Sequence, residues 1–578
     1  MTSKKIANLV KHANQLKKQL LFNDSLRKFE EILAIDPHNL EALFHKGNLL
    51  AEMENYNDAL KSYMLFVKIN PNIADIYVNI GNLLIILGRV NDAIDSFKLA
   101  IQKNPNHSIA FLNLANLIRD IGQYKAATAL YLKSIECNAN NYAALNNLAA
   151  LYKMIGRVDE CIKTYEKLLE RDSYNLASMS NLISSLSYSD DNHSIYLSKL
   201  LKDFNSKSGQ NLLPRLKKNK INFNKIGFIS GDFRTHPVGF FIKDFFNELK
   251  KNKIEIFSFS NHPLEDDLTN NIKKASKKWF QIHKIDDNGV ARLIDENQID
   301  ILIDLSGHTG YNRLGVFKLK PSQIQITWLG YWSTTGINEI DFLIGDKITC
   351  SSNIDNEFSE TIIRLPNTRW CYSHPPNINL IERCPFEKNH FITFGYFGNF
   401  AKVSPKTLNN WIQILLKAKN SKILLKSKIF QDEEILEDFL NIFINNSISK
   451  DRVIFQTSDS RDKYFESYNL IDIFLDTFPF SSGTTVIDSL WMGVPVITKY
   501  SDTINSRQAL GVLSNIDLEN FAANSNEEYV NIAVELSQNQ KLLKELRTQL
   551  REKLSQSPIF DTEKFTKNFL LALKKLKT

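Results

Sequence analysis

The stretch from Asp476 to Thr485, DTFPFSSGTT, places small residues and hydroxyl groups between two apolar segments. The segment before it, IDIFLDTF, predicts a strand, and VIDSLWMGV after it predicts an amphipathic helix. Free backbone N–H groups at the start of a helix bind phosphate oxygens through hydrogen bonds and the helix dipole. We therefore expect Thr484 and Thr485 to contact a phosphate, and Gly483 to let the backbone approach it closely.

Two charged residues complement this stretch. Asp488, one turn into the predicted helix, is suited to accept hydrogen bonds from two ribose hydroxyls. Lys402 follows another predicted strand of the same lobe, HFITFGYFGN, and supplies a positive charge for a diphosphate. A Gly-Thr-Thr sequence at a helix start is weak evidence by itself. Its combination with Lys402 and Asp488 predicts a nucleotide-diphosphate site.

The elements that would position these residues are short β-rich segments that alternate with helical ones. Five of them belong to one predicted lobe, residues 223–385: KIGFISGDF, IEIFSFS, IDILIDLSG, IQITWLGY and DFLIGDK. Five more belong to a second, residues 386–578, which we expect the last helices to complete: HFITFGYFGN, SKILLKSK, DRVIFQT, IDIFLDTF and VPVITKY. Apolar strands separated by helices predict parallel sheets covered on both faces, with ligands at the carboxyl ends of the strands. The cleft between the two lobes is the predicted site.

A period of 34 residues covers the first third of the chain. Pro37, Pro71 and Pro105 keep this spacing. A column of small residues and a column of aromatic residues keep it too: Gly47, Gly81, Ala115, Ala149; Phe29, Tyr63, Phe97, Tyr131, Tyr165. The pattern resembles the tetratricopeptide repeat, a helix–turn–helix solenoid. We predict an α-solenoid over residues 1–186, followed by a linker with some helix over 187–222.

One column of the repeat is polar. Asn79, Asn113, Asn147 and Asn181 occupy the same place in successive first helices, where asparagine is not favoured by helix propensity. Their amides could form a ladder that binds the backbone of an extended peptide. The competing interpretation is hydrogen bonding within or between the helices of the array.

Composition narrows the class of protein. The hydrophobic content of 43% and charged content of 23% are typical of a soluble globular protein. The net charge of +7 permits an anionic ligand without demanding nucleic acid. The five cysteines show no metal-binding spacing, which favours free thiols in a reducing compartment. The charged first 20 residues do not resemble a signal peptide, and no apolar stretch predicts a membrane span. We expect a cytoplasmic protein.

Five motifs, in this order behind the repeats, resemble the O-GlcNAc transferase/SPINDLY family: GDFRTHPVGFF, DLSGHTGYNRL, QITWLGYWSTTG with DFLIGD, FGNFAKVSPKTLNNW and LDTFPFSSGTTVIDSLWMGVPVIT. The resemblance covers essentially the whole chain, and bacterial SPINDLY-like members are the most similar. It implies a two-lobed GT-B fold and inverting transfer from a nucleotide sugar, usually UDP-GlcNAc, to Ser or Thr hydroxyls of proteins. It also implies that neither a metal nor another cofactor takes part.

The resemblance assigns roles to individual residues. Lys402 matches the family's essential lysine, which stabilises the departing diphosphate. His236 matches the active-site histidine, which is either the base for the acceptor hydroxyl or a residue that positions substrate. A purely structural role for His236 would be to cap the following helix. The remaining matches lie at the phosphates (Asn399, Gly483, Thr484, Thr485), at the ribose and base (Asp488, Arg461), and in the sugar and acceptor cleft (His308, Arg313, Leu329, Gly330, Tyr331).

Three positions depart from the family pattern. Gly483 replaces a histidine of many relatives, Tyr464 stands where a histidine is common, and Trp332 replaces a proline. These changes leave the nucleotide and the sugar open, so GDP-fucose and UDP-glucose are alternative donors. Two further hypotheses are a non-catalytic repeat scaffold and a glycosyltransferase that acts on glycans or small molecules. The oligomeric state is open as well, and a homodimer is one option.

Overall fold

The computed structural model describes residues 2–208, 223–375, 378–381, 383–458 and 460–576. The chain divides into two compact units, Met1–Leu151 and Tyr152–Thr578. The boundary between them falls inside the predicted solenoid, so the last helices of that solenoid group with the two lobes that follow it. Each unit is described separately.

The first unit is built from consecutive antiparallel helix pairs, and it confirms the 34-residue period. Its helices are α1 (Thr2–Lys18), α2 (Phe22–Ile35), α3 (Leu40–Glu52), α4 (Tyr56–Ile69), α5 (Ala74–Ile86), α6 (Val90–Lys103), α7 (Ser108–Asp120), α8 (Tyr124–Cys137) and α9 (Tyr142–Met154), the last of which runs past the boundary. The small and aromatic columns pack against each other. A Cβ at Gly47 would lie 2.5 Å from the ring of Tyr63, and one at Gly81 would lie 2.6 Å from Phe97. Small residues therefore let paired helices approach closely.

Side chains of the asparagine column form hydrogen bonds with other asparagines, one repeat earlier in the chain. The Asn113 amide donates to Asn82 Oδ1 at 2.9 Å, and the Asn147 amide donates to Asn116 Oδ1 at 2.8 Å. Each bond joins a first helix to the first helix of the preceding repeat. These contacts are the interhelical hydrogen bonds of the competing interpretation, and peptide binding by the ladder stays a prediction.

Three further helices open the second unit: α10 (Val158–Arg171), α11 (Leu176–Leu186) and α12 (Ser194–Lys207). Helix α12 lies in the segment predicted as a linker, where Leu200, Leu201 and Phe204 are buried. Residues 209–222 of that segment lie outside the described residues. The described part of the predicted linker is thus packed structure.

The first lobe contains a seven-stranded parallel sheet in the order β3-β2-β1-β4-β5-β6-β7. Its elements are β1 (Lys225–Ser230), α13 (Pro237–Lys251), β2 (Glu255–Ser260), α14 (Asp267–Ala275), β3 (Lys278–Gln281), α15 (Asp287–Glu296), β4 (Ile301–Asp304), α16 (Leu314–Lys318), β5 (Ile324–Thr327), β6 (Phe342–Asp346) and β7 (Thr361–Leu365). The chain reverses its direction across the sheet between β1 and β4. Loops that follow these two strands border the crevice where such sheets bind ligands.

The second lobe repeats this topology in a six-stranded parallel sheet, β10-β9-β8-β11-β12-β13. Its elements are α17 (Pro385–Asn389), β8 (Ile392–Phe397), α18 (Pro405–Lys417), β9 (Ser421–Lys426), α19 (Glu433–Asn445), β10 (Val453–Gln456), α20 (Arg461–Ser467), β11 (Ile473–Leu475), α21 (Thr484–Trp491), β12 (Val496–Lys499), α22 (Gln508–Leu513) and β13 (Ala522–Ala523). The switch point lies between β8 and β11. Lys402 follows the first of these strands, and the stretch Asp476–Thr485 follows the second. Both lobes confirm the predicted parallel sheets.

The last helices divide between the lobes. Helices α23 (Asn526–Gln538) and α24 (Gln540–Ser555) pack on the second lobe, as expected. Helix α25 (Thr562–Lys574) packs on the first, where Phe565 and Phe569 join a core that includes Phe245. Grouping all of the closing helices with the second lobe is therefore wrong for α25. Its apolar face completes the core under the β1 and β4 strands.

Candidate active site

The buried carboxylate of Asp476 fixes the loop from Asp476 to Gly483 through hydrogen bonds. Asp476 is fully buried, accepts a hydrogen bond from the Ser482 amide at 2.9 Å, and accepts a second from Thr498 Oγ1 at 2.7 Å. Burial raises the pKa of Asp476 to about 6. The carboxylate fixes the loop through its backbone, so the loop is preorganised before any ligand arrives. Asp476 has no site role in the sequence prediction.

Helix α21 begins at Thr484, directly after this loop. Gly483 precedes it, and an added Cβ there would lie 3.4 Å from Trp370, an ordinary contact. The position therefore has room for a side chain. Thr484 and Thr485 form the half-buried first turn, whose N–H groups have no acceptor within the helix. Free N–H groups therefore lie at the start of α21, and their binding of a phosphate stays a prediction.

The turn after β8 brings Lys402 to the same loop. Lys402 Nζ donates to the carbonyl oxygen of Ser481 at 3.1 Å and lies 4.1 Å from the ring centroid of Phe480. Burial lowers the pKa of Lys402 to about 8, and the nearby Asp476 carboxylate acts in the opposite direction. Asn399 caps the short turn that carries the lysine, accepting from the Ala401 amide at 3.0 Å. A partly desolvated ammonium thus lies beside the start of α21.

Asp488 is buried and bonded to two tyrosines. Tyr372 Oη donates to Oδ1 at 3.1 Å, and Tyr464 Oη lies 3.3 Å from Oδ2. Tyr464 in turn contacts Tyr468 at 2.6 Å between hydroxyl oxygens. Burial raises the pKa of Asp488 to about 6, and Arg461 acts in the opposite direction. A ribose bound to the Asp488 carboxylate, as predicted, would replace the hydrogen bonds that the two tyrosines make to it.

Arg461 and His236 lie on the two sides of the lobe boundary. The Arg461 guanidinium lies 3.9 Å from the ring centroid of Phe240, one turn after His236 in α13. His236 caps α13 by accepting from the Val238 amide at 3.4 Å, and its side chain is 36% exposed. Burial lowers its pKa to about 4, with a contribution from Arg234. The imidazole is therefore neutral at neutral pH, and Nε2 is the nitrogen not used in capping.

His308 has both ring nitrogens in hydrogen bonds. Nδ1 lies 2.8 Å from Ser180 Oγ of α11, and Nε2 lies 2.8 Å from the carbonyl oxygen of Thr335. The side chain is fully buried, and burial lowers its pKa to about 4. His308 thus joins α11 to two loops of the first lobe, and both of its ring nitrogens are already bonded, whereas the family resemblance assigned it to the sugar and acceptor cleft.

The turn at Leu329, Gly330 and Tyr331 packs tightly against the loop after β4. A Cβ at Gly330 would lie 1.7 Å from the carbonyl oxygen of Leu305. Leu329 has a positive φ of 70°, so the turn is strained by this close approach. Tyr331 Oη and Trp332 Nε1 are buried without a hydrogen-bond partner in the described part of the chain. Two buried donors therefore lie at the predicted sugar and acceptor cleft.

Arg313 lies apart from these residues. Its guanidinium donates to Asp287 at 2.7 Å, to the carbonyl oxygen of Ile285 at 2.8 Å and to that of Ile282 at 3.1 Å. It lines a cavity of about 450 Å³ together with Asn181. The structure thus brings Lys402 to the α21 start and Asp488 to Arg461, but places Arg313 with the last asparagine of the ladder.

In the described part of the chain, no three or more His, Cys, Asp or Glu side chains are grouped as a metal site would need. None of the helices in that part of the chain combines the length and apolar character required to cross a bilayer.

The arrangement defines a class: a repeat array followed by two doubly wound parallel sheets, with a lysine bonded at one switch point to the loop that leads into a helix. The sequence matches the model of glycosyl transferase family 41 over residues 211–386 and 374–569, and tetratricopeptide models over 40–73, 74–107 and 130–163. The chain belongs to glycosyl transferase family 41. The predicted family resemblance and enzyme class are confirmed.

Relatives and a solved structure agree with this assignment. The chain is 35% identical over 347 residues to a barley (Hordeum vulgare) protein named probable UDP-N-acetylglucosamine--peptide N-acetylglucosaminyltransferase SPINDLY, covering 59% of this chain and 37% of that protein. A Caenorhabditis elegans UDP-N-acetylglucosamine--peptide N-acetylglucosaminyltransferase is 22% identical over 459 residues, 59% of this chain and 39% of its own. A mutant Thermobaculum terrenum O-GlcNAc transferase superposes with a TM-score of 0.80 at 26% identity, covering 87% of this chain and 96% of that one. The chain spans well under half the length of the barley and C. elegans relatives.

Proposed function

We propose that the protein transfers a sugar from a nucleotide-sugar donor to Ser or Thr hydroxyls of proteins, with inversion and without a metal ion. The observation that carries the proposal is the contact of Lys402 with the loop that opens α21, at 3.1 Å from the Ser481 carbonyl oxygen. UDP-GlcNAc is the first candidate donor, supported by the names of the barley and C. elegans relatives.

The residues supply the parts that this reaction needs. The acceptor oxygen forms a bond to the anomeric carbon while the bond from that carbon to the diphosphate oxygen breaks. The diphosphate leaves with the bonding electron pair, and we assign the stabilisation of its charge to the Lys402 ammonium and the amides of Thr484 and Thr485. The acceptor proton needs a base. His236 is the candidate, because its imidazole is neutral near pH 7, although its pKa of about 4 makes it a weak base.

The repeat unit supports a protein as the acceptor. Tetratricopeptide arrays present extended binding surfaces, and the asparagine column offers amide groups along successive first helices. We propose protein or peptide acceptors for this surface and a cytoplasmic location. A homodimer is an additional proposal, to be checked by light scattering of the purified protein.

The test is sugar transfer by two lysine variants. Wild type, Lys402→Ala and Lys417→Ala are incubated with acceptor proteins and each of UDP-GlcNAc, UDP-glucose and GDP-fucose, and transfer is followed by intact-protein mass. Loss of the Lys402 charge should lower transfer by about 100-fold or more. Lys417 lies exposed at the end of α18, where it donates to the side chain of Asn531, so its variant should match wild type.

Three results would contradict the proposal. Unchanged transfer by Lys402→Ala would remove the leaving-group role. Loss of transfer on adding a chelator would show that a metal takes part. Transfer to free glycans but to no protein would replace the acceptor class. The donor that raises the melting temperature most identifies the nucleotide sugar, since a ligand at 100 times its Kd adds about 2.7 kcal/mol of stability.

A further inference from the structure

Tyr188, in the turn after α11, reaches the site loops of both lobes. Its buried ring stacks on Phe480 with centroids 4.7 Å apart and planes at 30°. The ring of Trp332, from the first lobe, lies edge to face with it at 5.9 Å between centroids. Lys153 Nζ also lies over the Tyr188 ring, 4.3 Å from its centroid. The sequence prediction placed Tyr188 in a linker and gave it no role.

The chain on both sides of Tyr188 is bonded to the second lobe. The Asn505 side-chain amide donates to the carbonyl oxygen of Ser187 at 3.2 Å and to that of Pro479 at 3.2 Å. Two residues after Tyr188, Asp190 accepts a hydrogen bond from the Lys406 amide at 3.0 Å. Asn505 therefore ties the Tyr188 turn to the residue that precedes Phe480. The backbone beside each of the two stacked rings is thus fixed by a hydrogen bond from the same asparagine.

Phe480 connects this turn to the proposed diphosphate contact. Lys402 Nζ lies 4.1 Å from the Phe480 ring centroid and bonds to the next residue, Ser481. Trp332 contacts the same ring at 4.3 Å between centroids, edge to face. Tyr188 and Trp332 thus confine the Phe480 ring that lies under Lys402. Both side chains also exclude water from the lysine. Burial lowers the pKa values of Lys153 and Lys402 alike to about 8, consistent with a dry cluster.

We propose that Tyr188 is a positioning residue for Lys402, acting through its stack on Phe480. Without the Tyr188 ring, Phe480 can turn away and water can reach the ammonium. The lysine would then hold its proton to higher pH but would be less well placed against a diphosphate. The catalytic consequence rests on the proposed function, whereas the effect on the lysine itself does not.

The first measurement therefore needs no donor. Each protein is treated with acetic anhydride over a pH series, and the acetylated fraction of Lys402 is read by peptide mass spectrometry. The midpoint for wild type should lie near 8. Tyr188→Ala and Tyr188→Leu should raise it by roughly one pH unit, because desolvation is what lowers it. Tyr188→Phe keeps the stacked ring and should keep the midpoint.

A matched control is Tyr63→Ala, which removes a buried tyrosine from the first unit. Its Lys402 midpoint should equal that of wild type, so a shift seen there would mark a global loss of structure. If Tyr188→Ala does not fold, Tyr188→Leu carries the test. A Lys402 midpoint that is the same in wild type, Tyr188→Ala and Tyr188→Leu would overturn the proposal.

Turnover then separates the two proposals. Tyr188→Ala should lower sugar transfer by roughly tenfold, the upper range for an aromatic pair, and should move the alkaline limb of the pH profile upward. Tyr188→Phe should restore both. Wild type that transfers no sugar, together with a shifted labelling midpoint, would refute the proposed function and leave the positioning inference supported. Transfer that is unchanged in Tyr188→Ala would refute the inference alone.

Discussion

Substitution of Gly330 by alanine tests whether the close approach of two loops in the first lobe is essential. The added Cβ would lie 1.7 Å from the carbonyl oxygen of Leu305, whereas ordinary carbon–oxygen contacts are about 3.3 Å or longer. The loops must therefore separate by roughly 1.5 Å, and neither partner is a flexible side chain. Overpacking on this scale, which forces backbone to move, should destabilise the protein by about 3 kcal/mol or more.

The chain offers a matched control in the same lobe. A Cβ at Gly310 would meet no atom of the described residues within 4 Å, so Gly310→Ala makes the same chemical change without the collision. Thermal unfolding of both variants should show a melting temperature lower by roughly 5 °C or more for Gly330→Ala, and little change for Gly310→Ala. Because Gly330 lies in the turn predicted to line the sugar and acceptor cleft, donor binding should weaken in parallel. Equal melting temperatures for the two variants would refute the reasoning.

Three further predictions concern the site and the repeat array. Replacing Asp476 by Asn should weaken donor binding about tenfold, since one carboxylate oxygen bonding the loop becomes an amide; calorimetry with the nucleotide diphosphate checks this, and an unchanged Kd contradicts it. Sugar transfer should fall as pH rises through about 8, where Lys402 loses its proton, and a profile flat to pH 10 would exclude an essential ammonium. Replacing Asn113 and Asn147 by alanine should slow transfer to proteins while donor hydrolysis continues, and equal losses in both assays would indicate a purely structural column.

Much of the site could be predicted because parallel sheets place strand ends together. Lys402 and Thr484 follow different strands, and the switch point between β8 and β11 brings them to one crevice. Asp476 was missed although it begins the stretch from which the phosphate site was predicted. It ends an apolar strand, and Asp304 at the end of β4 does the same, accepting from the amides of Ser306 and Gly307 at 3.0 and 2.8 Å. An aspartate that closes a buried strand is a signal visible in the sequence.

The elements that the sequence did not predict share a physical cause. The strands β3, β7 and β13 all lie at sheet edges, where one side has no neighbouring strand. Only part of β3 and of β7 is buried, so these two strands carry charged residues and lack the continuous apolar run that marked the central strands. The third, β13, is buried but only two residues long, too short to form a pattern. Tyr188 was missed for a related reason. Its segment has no periodicity, and its role depends on contacts with residues about 290 positions away.

The placement of α25 has a consequence for how the protein is made. Residues Phe565 and Phe569 belong to the core beneath strands translated some three hundred residues earlier. On the ribosome, the first lobe must wait with an uncovered apolar face while the whole second lobe emerges. We expect chaperones to bind this nascent form, and synonymous codons that slow translation after residue 365 to prolong the exposure.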